Sequence, residues 1–383
     1  MPDEVSVFSL LGVVVDTFPS FERIHLRKGR KDLNTQRPKI AKVISRFMNI
    51  TSAYQELLKP SEVLIDDVAK LDGDIIILGA GGKMGPNLTR LAKQAVDIAG
   101  LKKEVIAVAR FSEPGLQKEL QGHGIKTIAT DLLEDQELQR LPLTKNVLYL
   151  AGMKFGTTGK ESLTWAMNSY LPGRVAEKFK NSRIVVFSTG NVYPLMPISG
   201  GANEKEIPAP VGEYAQSCLG RERIFQYFSA KNSTPTLIYR LNYANDLRYG
   251  VLVDIAKAVN DRKPIDLRMG YVNVIWQGEA NEFALRCLHH CTSPAAVLNI
   301  TGPETVPVRK IADAFGRLLN TKPEYMNAEE NTALLSNAAR SYQLFGSARV
   351  SLDQMLEIIA AWVKVGGQTL DKPTHFQERE GKF

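Results

Sequence analysis

The chain of 383 residues is 44% hydrophobic and 23% charged, a composition typical of a globular protein with a substantial core. Its net charge of +7 comes mainly from residues 1–47, and the basic stretch 23–46 lacks the interleaved aromatic residues of a nucleic-acid-binding arm. Three cysteines are too few for a disulfide framework, and the acidic start is untypical of a secretion signal. We therefore expect a cytoplasmic protein with neither a nucleic acid nor a membrane as its partner.

The regular pattern of elements begins after Met48. An amphipathic helix is predicted within 60–73, with Ser61 as its N-cap, and it leads into an apolar strand at 74–78. Further strands are predicted at 104–109, 127–130, 147–151, 184–188, 237–241 and 297–301, and helical patterns lie between them, at 84–99 and 114–121 among others. Short apolar strands separated by helices pair in parallel, so the predicted fold class is α/β, a Rossmann-type doubly wound parallel sheet.

The same alternation predicts the domain organisation. Residues 1–47 are expected to form a peripheral N-terminal extension, and 48–242 a dinucleotide-binding domain to which the strand near 297–301 returns. Residues 243–296 and 302–383 fit the alternation poorly, so we expect them to form a smaller C-terminal substrate lobe.

A glycine-rich turn joins the first predicted strand to the following helix. In "ILGAGGKMG" the spacing of Gly79, Gly82 and Gly85 is G-x-x-G-x-x-G. Glycine is needed where the turn is tight and where the backbone approaches a pyrophosphate, and the helix N-terminus adds N–H donors. The turn therefore predicts a dinucleotide site. Its predicted cofactor-binding residues are Gly79, Gly81, Gly82, Lys83, Met84 and Gly85.

The ends of the next two strands bear on which dinucleotide binds. No carboxylate for the ribose follows the second strand, and Arg110 and Ser112, which suit a 2′-phosphate, stand there instead. Asp131 and Leu132, at the end of the third strand, are expected beside the adenine. NADP is therefore favoured over NAD, and the alternative interpretation of Arg110 is a solvated surface arginine.

Four segments taken in order, "GAGGKMG", "ATDLLE", "YLAGMKFGTTGKES" and "VVFSTGNVYP", resemble the extended short-chain dehydrogenase/reductase family. More narrowly, they are similar to its NAD-dependent epimerases and dehydratases of sugars, such as UDP-glucose 4-epimerases. The resemblance implies that Ala151, Gly152 and Lys154 lie along the cofactor and that Asn168 has a structural role. It also implies a homodimer and a sugar or nucleotide-sugar substrate.

The chemistry of this family couples hydride transfer to movement of a hydroxyl proton, so a base must touch the substrate oxygen. The resemblance assigns that role to Tyr214, which also borders the cofactor, and it assigns the catalytic Ser/Thr position to Thr189, with Ser188 beside it. In the family a lysine four residues after the tyrosine lowers the pKa of the phenol. Cys218 occupies that position here.

Cys218 leaves two functions open. In the first, another cation replaces the lysine, either Arg221 one helical turn further along or Lys154 from the fourth strand, and the protein is an NAD(P)-dependent sugar epimerase, dehydrogenase or dehydratase. In the second, the protein is a non-catalytic NAD(P)-binding sensor or regulator on the same fold.

The remaining candidates concern substrate and metal. Asn191, Asn242 and Arg248 are expected to contact sugar or phosphate oxygens, and Trp276 either lines the sugar site or packs in the core. The segment "RCLHHCTS" offers two cysteines and two histidines, but adjacent side chains on a helix end point about 100° apart and cannot converge on one zinc ion. No metal is predicted.

Deleting residues 1–47 should leave folding and dinucleotide binding intact, because the charge and poor patterning of this segment indicate that it contributes little to the core. Titration of NAD(H) and NADP(H) into the truncated and full-length proteins measures this. A truncated protein that cannot fold or cannot bind either dinucleotide would make the segment part of the domain.

Overall fold

A computed structural model of the protein describes residues 48–154, 156 and 159–382. The predicted extension at 1–47 lies outside the described residues. Residues 48–56 are helical, and the Tyr54 hydroxyl in this stretch donates a hydrogen bond to Asp246 over 2.6 Å. The first described residues are therefore tied to the loop that follows the central sheet.

Short and long strands alternate with helices along the chain. The strands are β1 Ile75–Leu78, β2 Val105–Ala109, β3 Lys126–Ala129, β4 Asn146–Tyr149, β5 Arg183–Thr189, β6 Met196–Pro197, β7 Thr236–Leu241, β8 Ala244–Asn245, β9 Ile265–Asp266, β10 Tyr271–Val272, β11 Ile275–Trp276, β12 Ala296–Ile300, β13 Val306–Pro307, β14 Tyr325–Met326 and β15 Thr332–Ala333. The longer ones lie where the sequence predicts strands, with ends shifted by one or two residues.

The helices have the following bounds: α1 Glu62–Lys70, α2 Gly85–Ile98, α3 Leu116–Gly122, α4 Asp135–Arg140, α5 Glu161–Trp165, α6 Leu171–Lys178, α7 Gly212–Asn232, α8 Val251–Asn260, α9 Gln277–Arg286, α10 Val308–Leu319, α11 Ala339–Phe345 and α12 Leu352–Lys364. A π-helical turn, Ala166–Tyr170, joins α5 to α6. Ser61 caps α1 as predicted, since its side chain accepts a hydrogen bond from the Leu64 N–H. Among the described residues, none of the helices is long and apolar enough to cross a membrane.

Seven strands form one parallel sheet in the order β3-β2-β1-β4-β5-β7-β12, which confirms the predicted fold class. Both faces are buried, and successive residues of β1 show why. Ile75 and Ile77 pack on the face covered by α1 and α2, whereas Ile76 and Leu78 pack on the face covered by α6 and α7. The carboxyl ends of these strands meet along one edge of the sheet, where the candidate site lies.

A separate hydrophobic core lies beyond this edge. It is built from α8, α10 and α12 together with the short strands, and its largest fully buried side chain is Trp276. One helix of the predicted substrate lobe packs in the core of the parallel sheet and not in this second core. Helix α9 lies within 243–296, but its Phe283 and Ala284 pack in the core of the parallel sheet. Its apolar residues face the sheet because the helix lies against α1 and α2.

A buried polar network ties α7 to the sheet. The Glu222 carboxylate on α7 accepts hydrogen bonds from the Arg240 guanidinium of β7, at 2.6 and 2.9 Å, and from the Ser188 hydroxyl of β5. Arg240 also donates to the Tyr193 hydroxyl, which donates to Asn299 on β12. All five groups are buried, so each charge and each hydroxyl depends on its partner.

Replacing Arg240 with Met should lower the free energy of unfolding by about 3–5 kcal/mol, because the Glu222 carboxylate would stay buried without its cation. The double variant Arg240→Met/Glu222→Leu should recover most of the loss, since no charge is then left uncompensated. Urea denaturation of both variants and the wild type measures the difference. A single variant as stable as the wild type would contradict the importance given to this ion pair.

Candidate active site

The glycine-rich turn between β1 and α2 has the geometry of a phosphate-binding loop. Gly79 has φ of +92°, and a Cβ atom there would lie 2.6 Å from the Ala151 backbone nitrogen. A Cβ atom on Gly85 would lie 2.3 Å from the Ala80 carbonyl oxygen. Only glycine allows both the turn and the close approach of α2 to the strand. The free N–H groups at the start of α2 are thereby presented at the edge of the sheet.

A cleft of about 600 Å³, here called the cofactor cleft, opens in front of this turn. Its lining includes most of the predicted cofactor-binding residues: Gly79, Gly81, Gly82, Lys83, Met84, Gly85, Gly152 and Lys154. Ala151 is buried behind it, where its backbone touches the turn at Gly79. The cleft therefore offers glycine backbone and a helix N-terminus to a pyrophosphate, which is the donor set a dinucleotide requires.

The predicted adenine end lies at the tips of β2 and β3, outside the lining of the cofactor cleft. The Arg110 side chain is 69% exposed, and its guanidinium lies 3.9 Å from the Asp131 carboxylate. Asp131 also accepts a hydrogen bond from the Leu133 N–H, and Leu132 is buried. Arg110 is therefore a solvent-facing cation close to the carboxylate expected at the adenine.

A smaller cavity of about 210 Å³, here called the substrate cavity, adjoins the cofactor cleft and shares Lys83, Met84, Lys154 and Tyr249 with it. The structure brings several predicted site residues together around it. They are Ser188, Thr189, Asn191, Tyr214 and Asn242. Thr189 ends β5 and donates a hydrogen bond to the Asn191 side chain over 2.9 Å. Tyr214 comes from the first turn of α7, so a strand end and a helix start meet here.

Tyr214 is half-buried, and its hydroxyl interacts with Thr189 and Cys218. Burial raises the pKa of the Tyr214 phenol well above its ordinary value, and the neighbouring Cys218 thiol adds to this. The charge of Arg221 and the hydrogen bond with Thr189 act in the opposite direction. A phenol that accepts a proton near neutral pH thus depends on the cations around it.

Arg221 is one of these cations, and it is held rigidly. It lies one turn beyond Cys218 on α7, and its guanidinium donates to the Phe187 carbonyl at 2.7 Å and to the Asn168 side chain at 2.6 Å. The side chain is buried, and it fills the space beside Gly152, where a Cβ atom would lie 2.2 Å from the guanidinium. Arg221 therefore supplies a fixed positive charge behind the site.

Lys154 is the second cation, and it reaches the site from the segment after β4. Its ammonium lies 5.8 Å from the centre of the Tyr214 ring and lines both cavities. Asn168 fixes this segment through two hydrogen bonds of 2.9 Å with the backbone of Met153. Burial lowers the pKa of Lys154 to about 8, and the nearby Cys218 and Asp254 oppose that shift. The structural role predicted for Asn168 thus includes orienting the lysine.

Two candidates, Trp276 and Arg248, lie elsewhere than expected, and the hydroxyl of a third, Ser188, is bound to another residue. Trp276 is fully buried in the core of the second lobe, its indole N–H directed at the Leu57 carbonyl, so the sugar-site prediction is wrong and the packing alternative holds. The neighbouring Gln277 lines the substrate cavity instead. Ser188 also lines the cavity, but its hydroxyl donates to the Glu222 carboxylate. Arg248 lines the cofactor cleft and not the substrate cavity.

The cysteine and histidine residues after α9 have structural contacts. Cys287 is buried in the sheet core, and the Cys291 thiol lies 3.6 Å from the Ile184 carbonyl. His289 bonds the Asp67 carbonyl over 2.8 Å, and the His290 ring contacts Phe345. The side chains thus point to different neighbours, as the angular argument from the sequence requires.

No sequence pattern predicts the residues that the chain's last segment brings to the site. Thr374 lines the substrate cavity, and Lys372 and Leu370 line the cofactor cleft. Residues 366–382 contain little regular structure, so no periodic pattern marks them, and only the tertiary fold places them across the cleft. Tyr249 was also missed, although it follows the predicted candidate Arg248 directly.

Comparison with known families agrees with this geometry. Residues 75–244 match the NAD dependent epimerase/dehydratase family. This match covers the glycine turn, the segment after β4, the end of β5 and the start of α7, and so confirms the resemblance seen in the sequence. No curated protein sequence matches the chain.

Solved structures of sugar-nucleotide enzymes share the fold. UDP-glucuronic acid 4-epimerase from Bacillus cereus, in complex with NAD, superposes with a TM-score of 0.61 at 18% identity and covers 76% of this chain and 98% of its own. UDP-glucose 4-epimerase of Thermus thermophilus, in complex with NAD, gives 0.62 at 15%, covering 77% and 99%. The dTDP-glucose 4,6-dehydratase of Bacillus anthracis, also with NAD, gives 0.64 at 16%, covering 76% and 97%.

Proposed function

We propose that this chain, whose residues 75–244 match the NAD dependent epimerase/dehydratase family, oxidises a hydroxyl group of a sugar or nucleotide sugar as a step of epimerisation, dehydration or net oxidation. The observation that carries this proposal is the meeting of Tyr214, Thr189 and Lys154 in one cavity that opens into the glycine-lined cofactor cleft. The NAD-bound sugar-nucleotide enzymes of the same fold support it.

The proposed roles follow from position. A bound nicotinamide dinucleotide supplies the ring that accepts a hydride from the sugar carbon. Tyr214, as phenolate, takes the proton of the hydroxyl on that carbon, and Thr189 holds the same oxygen by a hydrogen bond. Asn191 orients Thr189 through their 2.9 Å contact. With the hydride given to a bound dinucleotide, the sugar would carry a carbonyl group and Tyr214 would hold the hydroxyl proton.

We further propose that Arg221 and Lys154 together replace the lysine that is missing at position 218. Arg221 favours the phenolate electrostatically from behind the site. Lys154 faces the cofactor cleft, where an ammonium can also bind ribose hydroxyls. The use of two cations in place of one lysine explains how a thiol at Cys218 is tolerated. One positive charge comes from Lys154 in the segment after β4, and the other from Arg221 one helical turn beyond Cys218.

Replacing Tyr214 with Phe should lower turnover of a sugar substrate by about 10² to 10⁴, because the ring packing stays and the proton acceptor is lost. Dinucleotide affinity should change little. Turnover is measured by nicotinamide absorbance with a panel of free and nucleotide-linked sugars. The matched control is Tyr170→Phe, which removes an exposed hydroxyl on the π-helical turn. Full activity in Tyr214→Phe would eliminate the tyrosine mechanism, and absence of turnover in the wild type with every sugar would favour the sensor function.

For the cofactor, we propose that NADP(H) binds at least as tightly as NAD(H). The exposed Arg110 guanidinium at the end of β2 supports this choice, since it can turn toward a 2′-phosphate. Arg110→Ala should then weaken NADP(H) binding about tenfold and leave NAD(H) within about twofold. Titration calorimetry compares the two, and Lys126→Ala, a cation of the neighbouring strand paired with Glu104, is the control. Unchanged NADP(H) affinity in Arg110→Ala would refute the assignment.

We also propose a homodimer in the cytoplasm. Apolar and aromatic side chains are exposed along α5, the π-helical turn and α7: Leu163, Trp165, Tyr170 and Tyr227. Such a group on neighbouring helices is typical of a surface buried by association. All three cysteines are unpaired with one another, in keeping with a reducing compartment.

A further inference from the structure

The helix at 48–56, the first in the described part of the chain, forms part of the wall of the cofactor cleft. Three of its side chains line the cleft: Thr51, Tyr54 and Gln55. Their spacing of three and four residues places them on one face of the helix. The helix precedes the residues that match the family, which begin at 75, so the resemblance assigns it no role. Its contacts at the cleft therefore have to be explained from this chain's own residues.

Tyr54 holds this helix beside the glycine turn. Its hydroxyl donates to the Asp246 carboxylate over 2.6 Å, and the Asn87 amide donates to the Tyr54 oxygen at 3.2 Å and to Asp246 at 3.1 Å. Asn87 lies in the first turn of α2, directly after the glycine turn, and Asp246 is buried in the loop after β8. Because each of the three groups bonds to the other two, the network ties the helix to the parallel sheet and to the second lobe at once.

Apolar contacts fix the helix as well. The Tyr54 ring packs edge-on against Trp276, with 6.1 Å between the ring centres. Ile50, near the start of the helix, and Leu57, directly after its end, pack against the core of the second lobe. The side chains that face the cleft therefore keep a fixed place, since the helix is anchored at both ends and in its middle.

The face of the helix at the cleft offers hydrogen-bond donors. The Thr51 hydroxyl is buried and has no hydrogen-bond partner within the described part of the chain. A buried hydroxyl without a partner costs free energy, and a phosphate oxygen placed in the cleft would supply the missing acceptor. Gln55, one turn further along, is exposed and carries an amide with two N–H donors. Neither side chain carries a negative charge that would repel a phosphate group.

We infer that the helix at 48–56 is an added part of the dinucleotide site: Tyr54 positions it beside the glycine turn, and Thr51 and Gln55 donate hydrogen bonds to the phosphates of the bound dinucleotide. The inference rests on the proposed function, because it requires that the cofactor cleft binds a dinucleotide. Tyr54 is a positioning residue, since its hydroxyl is engaged with Asp246 and Asn87. The contacts of Thr51 and Gln55 must break before the dinucleotide leaves, so the helix slows its release.

Thr51→Val in the full chain tests the direct contact, because valine keeps the shape of the side chain and removes the hydroxyl. Affinity for NAD(H) or NADP(H), whichever binds more tightly, should fall about fivefold or more, and affinity for ADP-ribose, which carries both phosphates, should fall by the same factor. The melting temperature without ligand should stay equal or rise, since an unpaired buried hydroxyl is removed. Titration calorimetry and thermal unfolding measure these changes. Ser52→Ala, which removes an exposed hydroxyl of the same helix, is the matched control.

Tyr54→Phe tests the positioning role, because the ring keeps its packing on Trp276 while the hydroxyl and its hydrogen bonds are lost. Release of NADH or NADPH, followed by stopped-flow fluorescence, should become about threefold faster or more. Tyr325→Phe is the matched control, since it removes a tyrosine hydroxyl that donates to Asp313 in the second lobe, and its release rate should equal that of the wild type.

Unchanged dinucleotide affinity in Thr51→Val would overturn the inference, and so would an equal loss in Ser52→Ala, because the loss would then report on the helix and not on the contact. An unchanged release rate in Tyr54→Phe would overturn the positioning role. A wild-type protein that binds neither dinucleotide would overturn the proposed function together with the inference, whereas the other outcomes leave the proposed function intact.

Discussion

The candidate site depends on one buried interaction, the ion pair between Glu222 and Arg240. Glu222 belongs to the helix that also carries Tyr214, Cys218 and Arg221, and Arg240 belongs to the strand beside the one that ends at Thr189. The pair fixes the position of helix α7 along strand β5, so the phenol of Tyr214 stays within reach of the threonine hydroxyl. Because each charge is costly to bury alone, the helix cannot slide without losing both partners.

The mechanism we propose takes its catalytic positive charge from residues other than the one at position 218. A cation acts on a phenol through distance and dielectric, whichever element carries it. In the mechanism we propose, with a thiol at Cys218, the positive charge comes from Arg221, which is bound to backbone and to Asn168, and from Lys154, whose segment Asn168 also fixes. One buried asparagine thus positions both cations.

Most of the fold and part of the candidate site could be predicted from the sequence. Short apolar strands between helices specified the parallel sheet, and the glycine spacing specified the cofactor cleft, because both follow from local pattern. The resemblance placed Tyr214 and Thr189, which the structure brings to one cavity. The side of the cavity formed by Lys372 and Thr374 could not be predicted, since an irregular segment shows no period. The burial of Trp276 could not be predicted either, because it depends on how residues 48–58 cover the second lobe.

The pKa of the Tyr214 phenol in the NAD-loaded protein tests the central claim most directly, which is that cations from elsewhere replace the missing lysine. Carbon-13 NMR of labelled tyrosine measures it in the wild type, in Lys154→Met and in Lys154→Met/Cys218→Lys, with folding checked for each. We predict a higher pKa in Lys154→Met than in the wild type, and a return toward the wild-type value when Cys218→Lys restores a charge on α7. An unchanged pKa in Lys154→Met would contradict the claim.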